Sequence, residues 1–251
     1  TVVTDSNDQT AHLWDVATGK VIHVFSGHKG SVSTAKFSPN GKTLLTINSD
    51  MYAPVRLWDI ATREARHELK GGDAYVNFAQ FSPNGKTVVT ASADKTVRLW
   101  DLGSGKELQV FLGHESLANA VKFSPDGTLL VTTSGAAHDM QDRTVRLWDV
   151  STGKAVHVFK GFSGNPGFPE FSPDAKTVFV GIEGTRNEEF ADSAALLAVP
   201  DLSRTALLKR TGKLTNYRVC EDSLDVVAVL PFPAPETVWA PENLCRKDPS
   251  Q

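Results

Sequence analysis

Cysteine is scarce in this sequence, with 2 in 251 residues, which excludes a disulfide-dense scaffold and a cysteine-rich zinc site. A basic surplus is also missing, since 26 Lys plus Arg stand against 29 Asp plus Glu, a net charge of -3. Chains that hold nucleic acid by its phosphates carry such a surplus, so nucleic acid is not an expected partner. No run nears the roughly 18 apolar residues of a membrane span, so membrane insertion is not expected, and no charged-then-apolar leader opens the sequence. The first residue is Thr1 rather than Met, which fits a sequence with a further piece upstream. A helical 3.6-residue period is nowhere sustained for three turns between breakers. What is present is ordinary globular material, 40% hydrophobic and 22% charged, enough to bury a large core.

That material is repetitive. Trp-Asp pairs stand at Trp14-Asp15, Trp58-Asp59, Trp100-Asp101 and Trp148-Asp149, spaced by 44, 42 and 48 residues. Three of them sit in Val-Arg-Leu-Trp-Asp, beginning at Val55, Val97 and Val145. A second column reads Phe-Ser-Pro, from Phe37, Phe81, Phe123 and Phe171, followed by Asn-Gly or Asp-Gly except at Asp174-Ala175. A third is Gly-His, at Gly27-His28 and Gly113-His114, weakened to Gly71-Gly72 and Gly161-Phe162.

Short β-branched runs such as Thr87–Thr90 and Leu129–Thr132 lie between these columns, bounded by turn residues. Pro-Asn-Gly and Pro-Asp-Gly suit tight turns, because Pro presets φ and Gly accepts a positive one. Each unit is therefore four short antiparallel strands, a to d from the inside outward.

These columns resemble the WD-repeat β-propeller family, whose Gly-His and Trp-Asp marks recur every 40 to 45 residues or so. The near-uniform Val-Arg-Leu-Trp-Asp units look like a bacterial-type repeat array. The resemblance is specific over residues 1–160 and implies an all-β propeller of four-stranded blades. The units are 1–26, 27–70, 71–112, 113–160, 161–211 and 212–251, the last two degenerate, in a single domain. Pro200-Asp201 stands where Trp-Asp would fall in the fifth, and Leu224 to Leu230 reads as strand b of the sixth, with Thr237-Val238 opening its strand c. Because the chain opens on a strand b, a seven-bladed or six-bladed ring lacking its N-terminal strands is the expectation.

Each unit offers a hydroxyl, a His and an Asp, which invites a triad. The resemblance implies instead a structural hydrogen-bond network from the His loop through a strand-b hydroxyl to the Trp. The candidates are His28, Asp50 and Trp58 in unit two, Ser92, Asp94 and Trp100 in unit three, and His114, Thr133, Asp142 and Trp148 in unit four. A catalytic triad occurs once and in a pocket, whereas this set recurs in phase with the fold. Units three and five, with Gly72, Phe162 and Pro200 in network columns, are expected to be held less tightly.

His23, His67 and His157 share a column of strand d with Gln109, one per blade, and so cannot converge on a metal ion. His138 lies among Asp139, Met140 and Asp142 and reads as a loop residue rather than a ligand. Gly103-Ser104-Gly105-Lys106 has neither the spacing nor the following helix of a phosphate loop. Cys220 and Cys245 read as free thiols. No catalytic, metal or cofactor site is expected, and no cofactor.

The distance from the Phe of Phe-Ser-Pro to the Trp (or its Pro replacement) is 21, 19, 25 and 29 residues in units two to five. The lengthening falls on the b–c loops, which emerge together on the face that carries Gly-His, and rigid scaffolds place function on such loops. Candidate partner-binding residues are therefore His138, Met140, Arg186, Glu188, Glu189, Phe190 and Phe232. The leading function is a non-enzymatic scaffold that binds proteins or peptides through these loops and the central channel. Alternatives are a regulatory or sensor propeller of a larger multidomain enzyme and, behind it, a propeller enzyme with its site at the channel mouth. That last reading would rest on Lys36, Gln80, Lys122 and Glu170 of the inner strands. Expected partners are other proteins or peptides, in a larger complex or in further domains of the same polypeptide.

Overall fold

Alternation of β-branched and polar residues between Pro-Gly turns gives strands of four to seven residues throughout. The computed structural model describes residues 1–49, 54–70, 72, 74–135, 142–162, 164–183, 193–200 and 228–231. Its first sheet joins β1 (Val2–Asp5), β2 (Ala11–Trp14) and β3 (Val21–Phe25) in that order. The second joins β4 (Val32–Phe37), β5 (Thr43–Asn48), β6 (Val55–Asp59) and β7 (Ala65–Leu69). The third joins β8 (Val76–Phe81), β9 (Thr87–Ser92), β10 (Val97–Asp101) and β11 (Glu107–Phe111). The fourth joins β12 (Ala118–Phe123), β13 (Leu129–Ser134), β14 (Val145–Asp149) and β15 (Ala155–Phe159). The fifth joins β16 (Asn165–Phe171), β17 (Thr177–Glu183), β18 (Ser193–Ala198) and β19 (Ala228–Pro231). All pairings are antiparallel, and among the described residues there is no helix. These sheets are the blades of a WD-repeat β-propeller.

The core lies between blades rather than within them. One apolar cluster joins Leu57 and Leu69 of the second blade to Phe81, Val88 and Trp100 of the third. Equivalent clusters join the first blade to the second, the third to the fourth and the fourth to the fifth. Both faces of every middle blade are therefore covered, which is why strand b reads as nearly continuous apolar and Thr residues; Leu129–Ser134 is buried throughout. Trp-Asp punctuates strand c for two reasons. The ladder slips by one residue before each Trp, a bulge repeated in four blades. The Asp that follows accepts a backbone N–H from the c–d turn, as Asp149 does from Thr152 at 2.8 Å.

One strand differs from the sequence reading. Residues 224–230 are expected in strand b of a sixth unit, but β19 closes the outer edge of the fifth sheet, with Ala195 opposite Val229. Strand β18 would otherwise leave a row of backbone donors and acceptors unpaired, and the apolar Ala-Val-Leu run supplies a ladder for them. Thr237-Val238, Cys220 and Cys245 lie outside the described residues.

Candidate functional site

The polar centre of the fourth blade is a single file of hydrogen bonds. The indole N–H of Trp148 donates to Thr132 Oγ1 at 2.8 Å. Thr132 Oγ1 lies 2.7 Å from His114 Nε2, and His114 Nδ1 lies 3.0 Å from Asp142 Oδ2. The Asp142 carboxylate can only accept, so Nδ1–H of the neutral ring donates to it, Nε2 accepts the Thr132 proton, and Thr132 in turn accepts from the indole. Asp142 also accepts from the Glu115 N–H at 2.7 Å and from the Thr144 hydroxyl. Burial pushes the His114 pKa below the ordinary imidazole value even though Asp142 pulls it upward. Burial would raise Asp142, but hydrogen bonds from His114, Thr144 and Glu115 outweigh it and hold the carboxyl well below its usual range. The pair is thus a neutral imidazole against a carboxylate, nearly solvent-free.

Two sequence assignments are corrected here. Thr133 does not carry the network: its buried hydroxyl has no partner. Trp148 stands opposite Leu130, so Leu130, Thr132 and Ser134 share its face of β13, while Thr133 projects to the other. Nor does Ser92 bond Trp100, whose indole donates to Thr90 Oγ1 at 3.0 Å. Ser92 lies two residues further along and serves the b–c turn, accepting the Asp94 N–H and donating to Tyr75 O. In every Trp-containing blade the hydroxyl stands two residues beyond the one opposite the Trp, at Thr4, Thr46, Thr90 and Thr132. This Thr column, spaced by 42, 44 and 42, was visible in the sequence as a fourth in-phase mark.

The blades complete this column differently. In the second, Trp58 donates to Thr46, which lies 3.1 Å from His28 Nε2. Burial lowers the His28 pKa to about 4, helped by the Arg56 guanidinium and opposed by Glu68. Asp50 lies outside the described residues. In the third, Gly72 replaces the His, and the vacated space holds Asp94 and Arg98, whose Oδ2 and Nη1 pair at 2.8 Å. A Cβ at Gly72, which also has φ of 88°, would overlap Asp94 Oδ2. In the fifth, all three positions turn apolar together: Phe162 for His, Val180 for Thr and, opposite Val178, Leu197 for Trp, so Pro200, expected in that column, lies three residues beyond it. Phe162 and Val180 join the core between blades four and five. Among the described residues, neither blade three nor blade five is left with an orphaned network.

The His/Gln column of strand d stands opposite the same Leu of strand c in each blade, at His23, His67, Gln109 and His157. His67 Nε2–H donates to Gly103 O at 2.9 Å, tying one blade to the c–d turn of the next. Among the described residues no three His, Cys, Asp or Glu side chains gather as a metal ion requires.

Along the inner strands, Lys122 Nζ pairs with Glu170 Oε1 at 2.7 Å, and Lys36 Nζ lies 4.1 Å from the centre of the Phe78 ring. Burial, and then the nearby Lys122, lowers the Lys36 pKa. The Phe78 and Phe168 rings, from blades three and five, meet at a tilt of 50° with their centroids 5.7 Å apart. Phe168 is 68% exposed. The two Phe share one column, three residues before the Phe of Phe-Ser-Pro, where the second and fourth blades carry Thr34 and Ala120. His138, Met140, Arg186, Glu188, Glu189, Phe190 and Phe232 lie outside the described residues.

The sequence matches known proteins in two ways. Short segments resemble WD repeat-containing protein 37 of Homo sapiens, 42% identical over 52 residues (21% of this chain, 10% of that protein). The Caenorhabditis elegans transcription initiation factor TFIID subunit 5 is 39% identical over 44 residues (18% and 7%). A Homarus americanus guanine nucleotide-binding protein G(I)/G(S)/G(T) subunit beta-1 is 45% identical over 42 residues (17% and 12%). These matches have the length of one repeat and span about a tenth of the relatives, so they report the repeating unit. A family profile described as Eukaryotic translation initiation factor eIF2A covers residues 4–161, more than half of the chain. With its blades, its Trp-Asp columns and that match, the chain belongs to the eIF2A family of WD-repeat β-propellers.

Proposed function

We propose that this chain is a non-enzymatic interaction module that holds protein or peptide partners on its b–c loop face and in its central channel. The observation that carries this reading is where the polar chemistry sits. A Trp-to-Thr bond recurs in four blades and is buried in the second to fourth, with a buried His joining it in the second and fourth and an Asp in the fourth, so these groups hold the fold together rather than meet a substrate. Loops carried by such a scaffold are fixed in place, and a preorganised surface loses less entropy on binding. Two relatives bear the word subunit in their names, which supports a role inside an assembly. The candidate contact residues are those of the two long b–c loops, His138, Met140, Arg186, Glu188, Glu189 and Phe190, with Phe232 beyond them.

Shortening the Glu183–Ser193 connection to the length found in the third blade tests this, with partner retention as the readout. Loss of a bound protein, with folding intact, is expected, and unchanged retention would overturn the assignment of the face. A second reading is a regulatory propeller of a larger multidomain protein. A bacterial-type array gains no support, since the relatives are eukaryotic.

A further inference from the structure

Three arginines share one column, as the second residue of Val-Arg-Leu-Trp: Arg56 on β6, Arg98 on β10 and Arg146 on β14. The first two are ion-paired within their own blades. Arg56 Nε lies 3.1 Å from Oε1 of Glu68, the residue opposite it on β7. Arg98 meets Asp94 at 2.8 Å through Nη1 and Glu107 at 3.2 Å through Nε. The fourth blade offers neither arrangement. Val158 stands opposite Arg146, in the place of Glu68, and Ala155 stands opposite Trp148, in the place that Glu107 takes opposite Trp100. Asp142 precedes Arg146 by four residues, as Asp94 precedes Arg98, but it is taken up by His114, Glu115 and Thr144. Arg146 makes one hydrogen bond, from Nε to Thr144 Oγ1 at 3.3 Å, and no carboxylate of the described residues pairs with it. The side chain is half-buried, so its charge has lost part of its hydration without gaining a counter-charge.

The guanidinium lies against the third blade, where a Cβ at Gly113 would come within 2.5 Å of Nη1. The preceding residue, Leu112, is 69% exposed. At the same position after strand d, the second and fourth blades carry Lys70 and Lys160 and the first carries Ser26. Polar or charged residues there keep the outer end of a blade wet, and the third blade abandons them. Two departures from the repeat thus meet at the rim between the third and fourth blades: a guanidinium without its acid and an aliphatic side chain without cover. Both sheets at this rim have their four strands.

We propose that this rim is a docking site for an acidic segment of a partner protein. A carboxylate of that segment takes the Nη1 and Nη2 groups of Arg146 as a bidentate pair, and an apolar side chain beside it covers Leu112. Charge complementarity names the occupant, because a carboxylate is what the other two members of the column hold and β15 supplies none. The site rests on the protein-binding reading above and adds a contact of stated chemistry away from the Glu183–Ser193 loop, so the two can fail separately.

The test titrates the 251-residue chain into a fluorescent peptide of sequence Gly-Ser-Glu-Leu-Glu-Leu-Ser-Gly and follows anisotropy. Saturable binding is expected, weakened at least about tenfold when Gln replaces both Glu of the peptide. Arg146→Gln in the chain should weaken it equally. Val158→Glu writes into β15 the acid that Glu68 supplies in β7, so it should occupy Arg146 and weaken binding at least about tenfold at an unchanged or raised unfolding midpoint. Leu112→Ser, which installs the residue of the first blade, should weaken binding about threefold or more. Should Arg146→Gln not fold, Val158→Glu decides, since it leaves the guanidinium in place. No saturable binding, equal binding of the Glu and Gln peptides, or binding indifferent to Val158→Glu in a folded chain would overturn the proposal. Binding that emerges only with Asp139→Asn would also overturn it, since an acid of the chain itself would then be the occupant. Partner retention by the Glu183–Ser193 loop is measured in parallel: its loss with peptide binding intact rejects the loop reading alone, and the converse rejects this site alone.

Discussion

Thr132 Oγ1 stands between two buried rings, accepting from the Trp148 indole at 2.8 Å and facing His114 Nε2 at 2.7 Å. Its neighbour Thr133 is as deeply buried, and its hydroxyl has no hydrogen-bond partner among the described residues. The pair makes a controlled comparison. Thr132→Val strands an indole N–H and an imidazole nitrogen and should cost about 2–5 kcal/mol, whereas Thr133→Val removes an unpaired hydroxyl and should be neutral or stabilising by up to about 1 kcal/mol. Urea unfolding of the two variants measures this, and equal losses would contradict the assigned file of bonds.

Acid should loosen the fold before its carboxylates titrate. Unfolded His28 titrates near about 6.5, but in the fold burial takes it down to about 4. Between those values the unfolded chain binds a proton that the folded chain refuses, so stability falls as pH falls. His114, also lowered by burial, acts in the same direction. The contribution of the depressed Asp142 is present above its unfolded value and is lost only at lower pH. The expected slope approaches about 1.4 kcal/mol per pH unit for each histidine fully inside its window. Urea midpoints between about pH 7 and about pH 5 give the slope directly, and a flat profile would contradict it.

Gly72→His writes back the residue found in the second and fourth blades, yet it should destabilise. The added Cβ meets Asp94 Oδ2, and φ of 88° is unfavourable for an L side chain. A loss above about 1 kcal/mol is expected from the backbone alone. A gain in thermal midpoint would show that Asp94 readily leaves Arg98.

Ala175 holds φ of 57° in the turn where Gly41, Gly85 and Gly127 stand in the other blades. Ala175→Gly should therefore raise stability by up to about 1 kcal/mol, the residual of relieved strain over added unfolded-state freedom. Differential scanning calorimetry reads the shift, and a lowered midpoint would contradict it.

Much of this architecture was legible because it repeats. Trp-Asp, Phe-Ser-Pro and Gly-His fix the blade and its turns, since each serves a local bond that every copy must remake. The hydroxyl of the network was misplaced because Thr132 and Thr133 are identical in composition, and only the strand register tells their faces apart. The Trp column of blade five was misplaced at Pro200 because no Trp-Asp remains there to fix it, and only the pairing of Val178 with Leu197 shows which residue takes the place. Strand β19 was assigned to the wrong blade because no columns remain near Ala228 and pairing there follows a long connection. The Phe78–Phe168 contact joins one column two repeats apart, but the column also holds Thr34 and Ala120, and that its members in alternate blades meet is set by the packing of the inner strands.

The interaction reading is tested most directly by photo-crosslinking from defined positions of the intact chain. A photoreactive phenylalanine analogue replaces Phe190 on the long b–c loop or, as a control, Lys154 on the c–d turn side. Each variant is irradiated in extract and its adducts are identified by mass spectrometry. The account predicts a discrete protein adduct from position 190 and none from position 154, whereas adducts from 154 alone, or the same adducts from both, would contradict it.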